Sequence, residues 1–230
     1  MGKNAAGTNA ADRLIVGISG ASGVVYGIRL LEALDELGVE SHLVISKAGQ
    51  LTIGWETALT PKAVAAKADF SYAAGDVAAP IASGSFRTKG MIVAPCSVRS
   101  MSEIATGVTT TLLTRAADVV LKERRTLVLL VRETPLHLGH LRTMAALAEM
   151  GAVILPPVPA FYTASKTLED LVDQTVARAL DSFGYDWPKA KRWGEGPAGA
   201  FSGEVVRSDS VRTGSPQKMR PKKGARPKKA

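Results

Sequence analysis

Apolar residues fall along the chain in two alternating textures. Short, β-branched and nearly continuous runs occupy 14–18, 39–45, 91–94, 127–131 and 153–155. Between them, segments over 24–37, 100–106 continuing through 108–122, 137–150 and 168–183 place apolar residues three and four apart. The first texture predicts strands and the second predicts amphipathic helices. Strands that are apolar throughout must be covered on both faces, and their alternation with helices predicts a parallel sheet. The expected fold is a three-layer Rossmann-like (flavodoxin-like) α/β arrangement in a single domain, with helices on both faces of the sheet.

The ends of the chain read differently. Residues 1–12 offer almost nothing large to bury and predict a loose, disordered arm, whereas from residue 196 Gly, Pro and Lys replace the apolar residues and predict a disordered basic tail over 196–230. That leaves 13–195 as the folded domain. The 230 residues are 46% hydrophobic, ample for a packed core, and carry a formal charge of +8. Residues 1–204 hold equal numbers of acidic and basic side chains, while 205–230 carry nine Lys and Arg against Asp209 alone. The body is neutral, so the charge does not argue for a nucleic-acid partner there, and a solvated tail is the favoured reading of the remainder. Cys96 is the single cysteine, which excludes an intrachain disulfide and metal clusters built from several thiolates. No apolar run approaches the roughly 20 residues of a membrane span, and the first twelve residues lack the apolar segment of a secretory leader, so a cytoplasmic location is expected.

In open parallel sheets ligands bind beyond the carboxyl ends of the strands, so the residues just past each apolar run carry the candidate chemistry. The first run leads into Gly17-Ile18-Ser19-Gly20-Ala21-Ser22-Gly23, whose small residues admit a ligand to the backbone just before a helix N-terminus suited to phosphate. Its spacing departs from Gly-x-Gly-x-x-Gly, and an ordinary tight turn is the competing reading. A dinucleotide site would place Asp or Glu after the second strand. Here Ile45 is followed by Ser46 and Lys47, which suit a phosphate and lean towards a mononucleotide such as FMN, with Ser46 as a plain helix cap the alternative.

Ala94-Pro95-Cys96-Ser97-Val98-Arg99-Ser100 supplies hydroxyls and backbone donors for a ring bearing carbonyls and nitrogens. Cys96 has no histidine near it in sequence and reads as a small buried residue. Arg132-Glu133 sets a base beside an acid past the fourth run; an exposed ion pair is the bland reading, and partial burial beside a phosphate would raise the carboxyl towards a range useful for proton transfer. Pro159-Ala160-Phe161-Tyr162 offers an aromatic wall and a phenol, with core packing as the competing role for Phe161. His42 lies within a strand, and His137 and His140 lack a third ligand, so no metal is assigned.

Nine segments then follow in order: Gly20-Ala21-Ser22-Gly23 with Tyr26-Gly27, Ile45-Ser46-Lys47, Glu56-Thr57, Ala82-Ser83-Gly84-Ser85, Pro95-Cys96-Ser97, Arg115-Ala116-Ala117-Asp118, Leu121-Lys122-Glu123-Arg124, Arg132-Glu133-Thr134-Pro135 and Pro159-Ala160-Phe161-Tyr162. Over about residues 13–195 this set resembles the UbiX-like flavin prenyltransferases. The resemblance implies a metal-independent enzyme that uses dimethylallyl monophosphate to join a dimethylallyl group to N5 and C6 of reduced FMN. The product, prenylated FMN, would serve a UbiD-type decarboxylase. It further implies a homododecamer whose sites are shared between protomers.

By residue, the resemblance implies flavin contacts for Gly20, Ala21, Ser22, Ser46, Ser97, Val98, Arg99, Ser100 and Arg132. It puts Tyr162 and Arg178 on the dimethylallyl phosphate, at sites shared between protomers, with Ser83 and Trp193 at the same substrate. Catalytic roles fall to Ser22, Glu56, Arg115, Lys122 and Glu133. Lys122, Arg132 and Arg178 would offset the charge growing on the departing phosphate, Glu133 would protonate it, and Ser22 would relay the N5 proton. Two positions depart from the family: Ser97-Val98-Arg99-Ser100 replaces Ser-Met-Lys-Thr, keeping hydroxyl and charge, and Val77 stands where some members have tryptophan. Trp193 or Trp55 is then left to shield an allylic cation. A non-catalytic FMN-binding accessory subunit of a hydroxyarylic acid decarboxylase is the alternative. A decarboxylase of cysteinyl peptides is disfavoured, because no histidine follows the first strand.

Overall fold

The computed structural model describes residues 12–189 and 191–193. Strands β1 (Arg13–Ile18), β2 (Glu40–Ile45), β3 (Phe70–Tyr72), β4 (Gly90–Cys96), β5 (Thr126–Val131) and β6 (Val153–Ile154) form one sheet in the order β3-β2-β1-β4-β5-β6. Every pairing is parallel. The helices are α1 (Val24–Leu37), α2 (Lys47–Glu56), α3 (Pro61–Ala65), α4 (Val98–Thr106), α5 (Leu112–Lys122), α6 (Leu138–Glu149) and α7 (Leu168–Asp181). The chain runs outward from β1 through β2 and β3, then returns to the other side of β1 as β4. Strand order therefore reverses between β1 and β4, which opens a crevice at their carboxyl ends.

Alternate side chains along the strands feed two cores, as a pleated sheet buried on both faces requires. Leu14, Val16, Leu43, Ile92 and Val128 pack with Leu31 and Leu34 of α1 and with Val176 and Leu180 of α7. Ile15, Val44, Met91, Val93, Leu127 and Leu129 pack on the opposite face with Ile104 of α4, Leu113 and Val120 of α5 and Leu147 of α6. This is the three-layer α/β fold expected. Helix α1 lies directly on the sheet because Gly27 has no side chain: a Cβ there would stand 2.3 Å from the Ala94 carbonyl oxygen.

Several elements differ from the sequence reading. The segment expected to be helical from 100 through 122 is two helices, since Gly107 closes α4 in the left-handed region (φ 69°) and Thr111 starts α5 with a capping box. Helix α2 was expected only through the alternative role of Ser46 as a helix cap, and helix α3 and strand β3 were not anticipated. Helix α2 buries only Gly49 and Ile53, and β3 is a three-residue edge strand, so neither writes an apolar period into the sequence. Asp12, at the end of the predicted arm, accepts a hydrogen bond from Tyr185 (2.6 Å) and pairs with Lys89 (2.9 Å). The rest of that arm and the basic tail lie outside the described residues. No described helix is long and apolar enough to cross a membrane.

Candidate active site

The loop after β1 is organised by Ser19, which is fully buried. Its hydroxyl donates to the Pro95 carbonyl (2.7 Å) and accepts from the Ser97 amide (2.7 Å), tying the β1 and β4 loops together at the crevice. Gly20 lies flat on the start of α2, where an added Cβ would come within 2.3 Å of that of Ala48. Gly23 then turns into α1 with φ 98°, a conformation that favours glycine. The amides that open α1 are held by a carboxylate: Glu56 Oε2 accepts from Gly23 (2.8 Å) and Val24 (3.0 Å). The anion held at this helix N-terminus is a side chain of this protein.

On one side of the loop a cavity of about 350 Å³ is lined by Gly20, Ser46, Lys47, Ser97, Arg99 and Ser100 among others. Both bland and functional readings of Ser46 have a basis, because its Oγ caps α2 by accepting from the Gly49 amide (3.0 Å) while the residue also faces this cavity. Ser97 likewise caps α4, with its Oγ 3.2 Å from that of Ser100. Arg99 pairs with Glu103 (2.9 Å), and hydrogen bonds from Thr110 and Arg99 outweigh burial and hold that carboxyl below its ordinary range. Hydroxyls, helix N-termini and two cations around a backbone floor form a donor set that fits the phosphate and ring polar atoms of FMN. Ala21 is buried in the loop floor, and Val98 packs partly into the core below α4.

On the other side a larger cavity, about 650 Å³, is lined by Ser22, Tyr26, Glu56, Arg132 and Glu133, with Pro156 and Val158 at its rim. Arg132 and Glu133 do not form the ion pair considered above: the Glu133 carboxylate accepts from the Thr134 amide (2.9 Å), and both side chains serve the cavity. Burial pushes the Tyr26 phenol up, against a hydrogen bond with Thr175 and the charge of Arg132. Pro156 and Val158 also border a pocket of about 290 Å³ that contains Tyr162 and Arg178. Within this chain the pocket of Tyr162 and Arg178 thus adjoins the cavity of Arg132 and Glu133. Trp193 meets the Tyr162 ring edge-on at 5.2 Å. Phe161 is 89% exposed, which removes the core-packing explanation for it.

Ser83, Arg115 and Lys122 form a separate group that lines none of these cavities. Arg115 donates to the Ala82 carbonyl (3.2 Å) and pairs with Asp118 (2.7 Å), Ser83 meets Ser85 (2.9 Å), and Lys122 pairs with Glu123 beside Gly84. Val77 and Trp55 are exposed, at 68% and 89%. Cys96 is buried, and burial pushes its thiol up to about 12. His42 is buried between Tyr72 and Glu40, and burial lowers its pKa. His137 caps α6 with Nδ1 and stacks on His140 at 3.6 Å. Among the described residues no cluster of three or more His, Cys, Asp or Glu could hold a metal ion.

Sequence reasoning passed over Ser19, Tyr26 and Gln174 as individual site residues. The available signal was a polar side chain at or inside an apolar run: Ser19 directly follows β1, and Gln174 lies between the apolar positions Val172 and Val176 of α7.

A parallel sheet with a hydroxyl-lined crevice at its switch point defines an α/β protein of the doubly wound class. The flavoprotein family model matches residues 3–180. Flavin prenyltransferase UbiX of Escherichia coli (strain K12) is 57% identical over 178 residues, spanning 77% of this chain and 94% of that protein. The crystal structure of AnUbiX (PadA1) in complex with FMN and dimethylallyl pyrophosphate has a TM-score of 0.79 and 49% identity, covering 81% of this chain and all of that one (100%). A dodecameric FMN-dependent UbiX-like decarboxylase from Escherichia coli O157:H7 has a TM-score of 0.77 and 52% identity over 79% of this chain and 98% of that one. The chain belongs to the flavoprotein family, within its UbiX-like flavin prenyltransferases.

Proposed function

We propose that this protein is a flavin prenyltransferase that joins the dimethylallyl group of dimethylallyl monophosphate to N5 and C6 of reduced FMN. The observation that carries this reading is the cavity holding Ser22, Glu56, Arg132 and Glu133, which borders the pocket of Tyr162 and Arg178 across Pro156 and Val158. Reduced FMN supplies the nucleophilic atoms. Gly20, Ala21, Ser46, Ser97, Arg99 and Ser100 hold it at the crevice. As the allylic C–O bond breaks, Arg132 and Arg178 offset the charge growing on the phosphate, and Glu133 donates a proton to it. Ser22, in the cavity lining, takes part in proton removal from the flavin, and Tyr162 with Trp193 screens the allylic fragment from water.

Arg115, Lys122 and Ser83 act, on this proposal, from a neighbouring protomer of a homododecamer, the assembly recorded for the relative that is 52% identical. Prenylated FMN then passes to a UbiD-type decarboxylase, and the reaction takes place in the cytoplasm. A non-catalytic flavin carrier would need no acid and base facing a second pocket. Incubation of the purified protein with reduced FMN and dimethylallyl monophosphate tests the reading by mass spectrometry. A flavin heavier by one dimethylallyl group is expected; an unchanged mass with bound FMN would favour the carrier.

A further inference from the structure

Gln174 is a polar side chain in the buried face of α7, only 5% exposed, one helical turn before Arg178. Its carboxamide is engaged at both ends by the main chain of a single residue: Oε1 accepts from the Lys191 amide (3.1 Å) and Nε2 donates to the Lys191 carbonyl (3.0 Å). A primary amide has a second N–H, and the Tyr162 hydroxyl lies 3.5 Å from the same nitrogen. The segment so clamped is fastened at two further points, by Lys191 Nζ to the Thr163 carbonyl (3.2 Å) and by Arg192 to Asp181 (2.9 Å). It ends with Trp193 against the Tyr162 ring. Tyr162 itself sits in a single 3₁₀ turn (Phe161–Thr163) with little packing of its own, at 48% exposure. Gln174, Tyr162 and Arg178 all line the pocket of about 290 Å³.

We propose that Gln174 is a positioning residue for the donor substrate: its carboxamide clamps the strap 191–193 onto α7, and the strap holds Tyr162 opposite Arg178 around the phosphate pocket. This rests on the prenyltransferase reading above. An amide suits the task because it satisfies a buried peptide N–H and C=O together, which neither an apolar side chain nor a carboxylate does. Loss of the clamp costs orientation of Tyr162 and Trp193, so it weakens donor binding and leaves the flavin crevice, built on other elements, as it was.

The test uses the full chain. Gln174→Met keeps the volume and removes the hydrogen bonds. Trypsin cleavage after Lys191 and Arg192, mapped by mass, should accelerate about fivefold or more in the variant without any substrate present. The KM for dimethylallyl monophosphate should rise about five- to tenfold, while the KM for reduced FMN stays within about twofold and kcat falls less than KM rises. Deletion of 191–230, which leaves Gln174 in place, should reproduce the donor KM, and combining the two changes should add nothing. Should Gln174→Met fail to fold, the deletion alone carries the test, against a control ending at residue 204. A wild-type protein that makes no prenylated product would overturn the prenyltransferase reading, and the protease result would still report on the clamp. Wild-type turnover together with an unchanged donor KM in Gln174→Met and in the 191–230 deletion would overturn the role of Gln174, as would a strap equally protected in the variant.

Discussion

The Ser19 hydroxyl accepts the Ser97 amide proton at 2.7 Å and donates its own proton to Pro95 at the same distance, so one side chain joins the loops on both sides of the sheet's switch point. Removing it takes the acceptor from the Ser97 N–H, while the Pro95 carbonyl keeps the Ser19 amide (3.2 Å). Ser19→Ala is expected to cost about 1–3 kcal/mol of stability and to loosen the crevice that Gly20 and Ser97 share. Chemical denaturation gives the first quantity and titration of flavin fluorescence the second. Wild-type FMN affinity in this variant would show that the two loops do not depend on the bridge.

Much of the fold was legible because the central strands are buried on both faces, so that Leu14–Val16 or Leu127–Val131 cannot be anything but apolar. Strand β3 escaped because its residues are exposed or half-buried at a sheet edge, and α2 showed only through its cap, Ser46, because the helix has almost no buried stripe. The crevice was legible for a related reason: small and hydroxyl residues at the ends of apolar runs have few other uses. Two relationships were not. The capture of the α1 amides by Glu56 joins positions 33 apart, and the clamp of Gln174 on Lys191 joins positions 17 apart. Pairings of that kind depend on packing, which residue order does not encode.

The separation of Ser83, Arg115 and Lys122 from the cavity of Arg132 and Glu133 leads to a complementation experiment. If each site draws on two protomers, Glu133→Gln and Lys122→Ala disable different halves of it. Each variant alone should lose at least about a hundredfold in prenyl transfer. Dissociated and reassembled together in equal amounts, they should regain about a quarter of wild-type activity, the share of sites in which both halves are intact. No recovery from a verified mixed oligomer would mean that both residues act within one chain.

The basic tail enters none of these arguments. Deleting 205–230 brings the formal charge from +8 to zero and leaves Lys191–Trp193 in place. Prenyl transfer should stay within about twofold of the full chain, since the charges that act on the phosphate are individual side chains of the body. Steady-state rates of the two forms at low and moderate salt check this; a large loss on truncation would give the tail a part in turnover.

Cys96 supplies a pH dependence whose sign follows from its burial. The thiol ionises near 9.0 in an ordinary setting and is pushed up to about 12 here, because the thiolate would have to form in an apolar core. Between those values the unfolded chain has released a proton that the folded chain still holds, so stability must fall as pH rises through this window, by up to about 1.4 kcal/mol per pH unit. Below the lower value both states are protonated and the thiol contributes no slope. Tyrosines and lysines titrate in the same range, so the comparison is with Cys96→Ala, which removes the thiol and little volume. The stability advantage of wild type over Cys96→Ala, measured by denaturant midpoints, should shrink by about 2 kcal/mol between pH 8 and pH 10.5. A thiol reagent at pH 8 should label native protein only as fast as it unfolds. Parallel stability curves for the two proteins, or rapid labelling of the native state, would show that the thiol reaches water, contrary to its buried place at the end of β4.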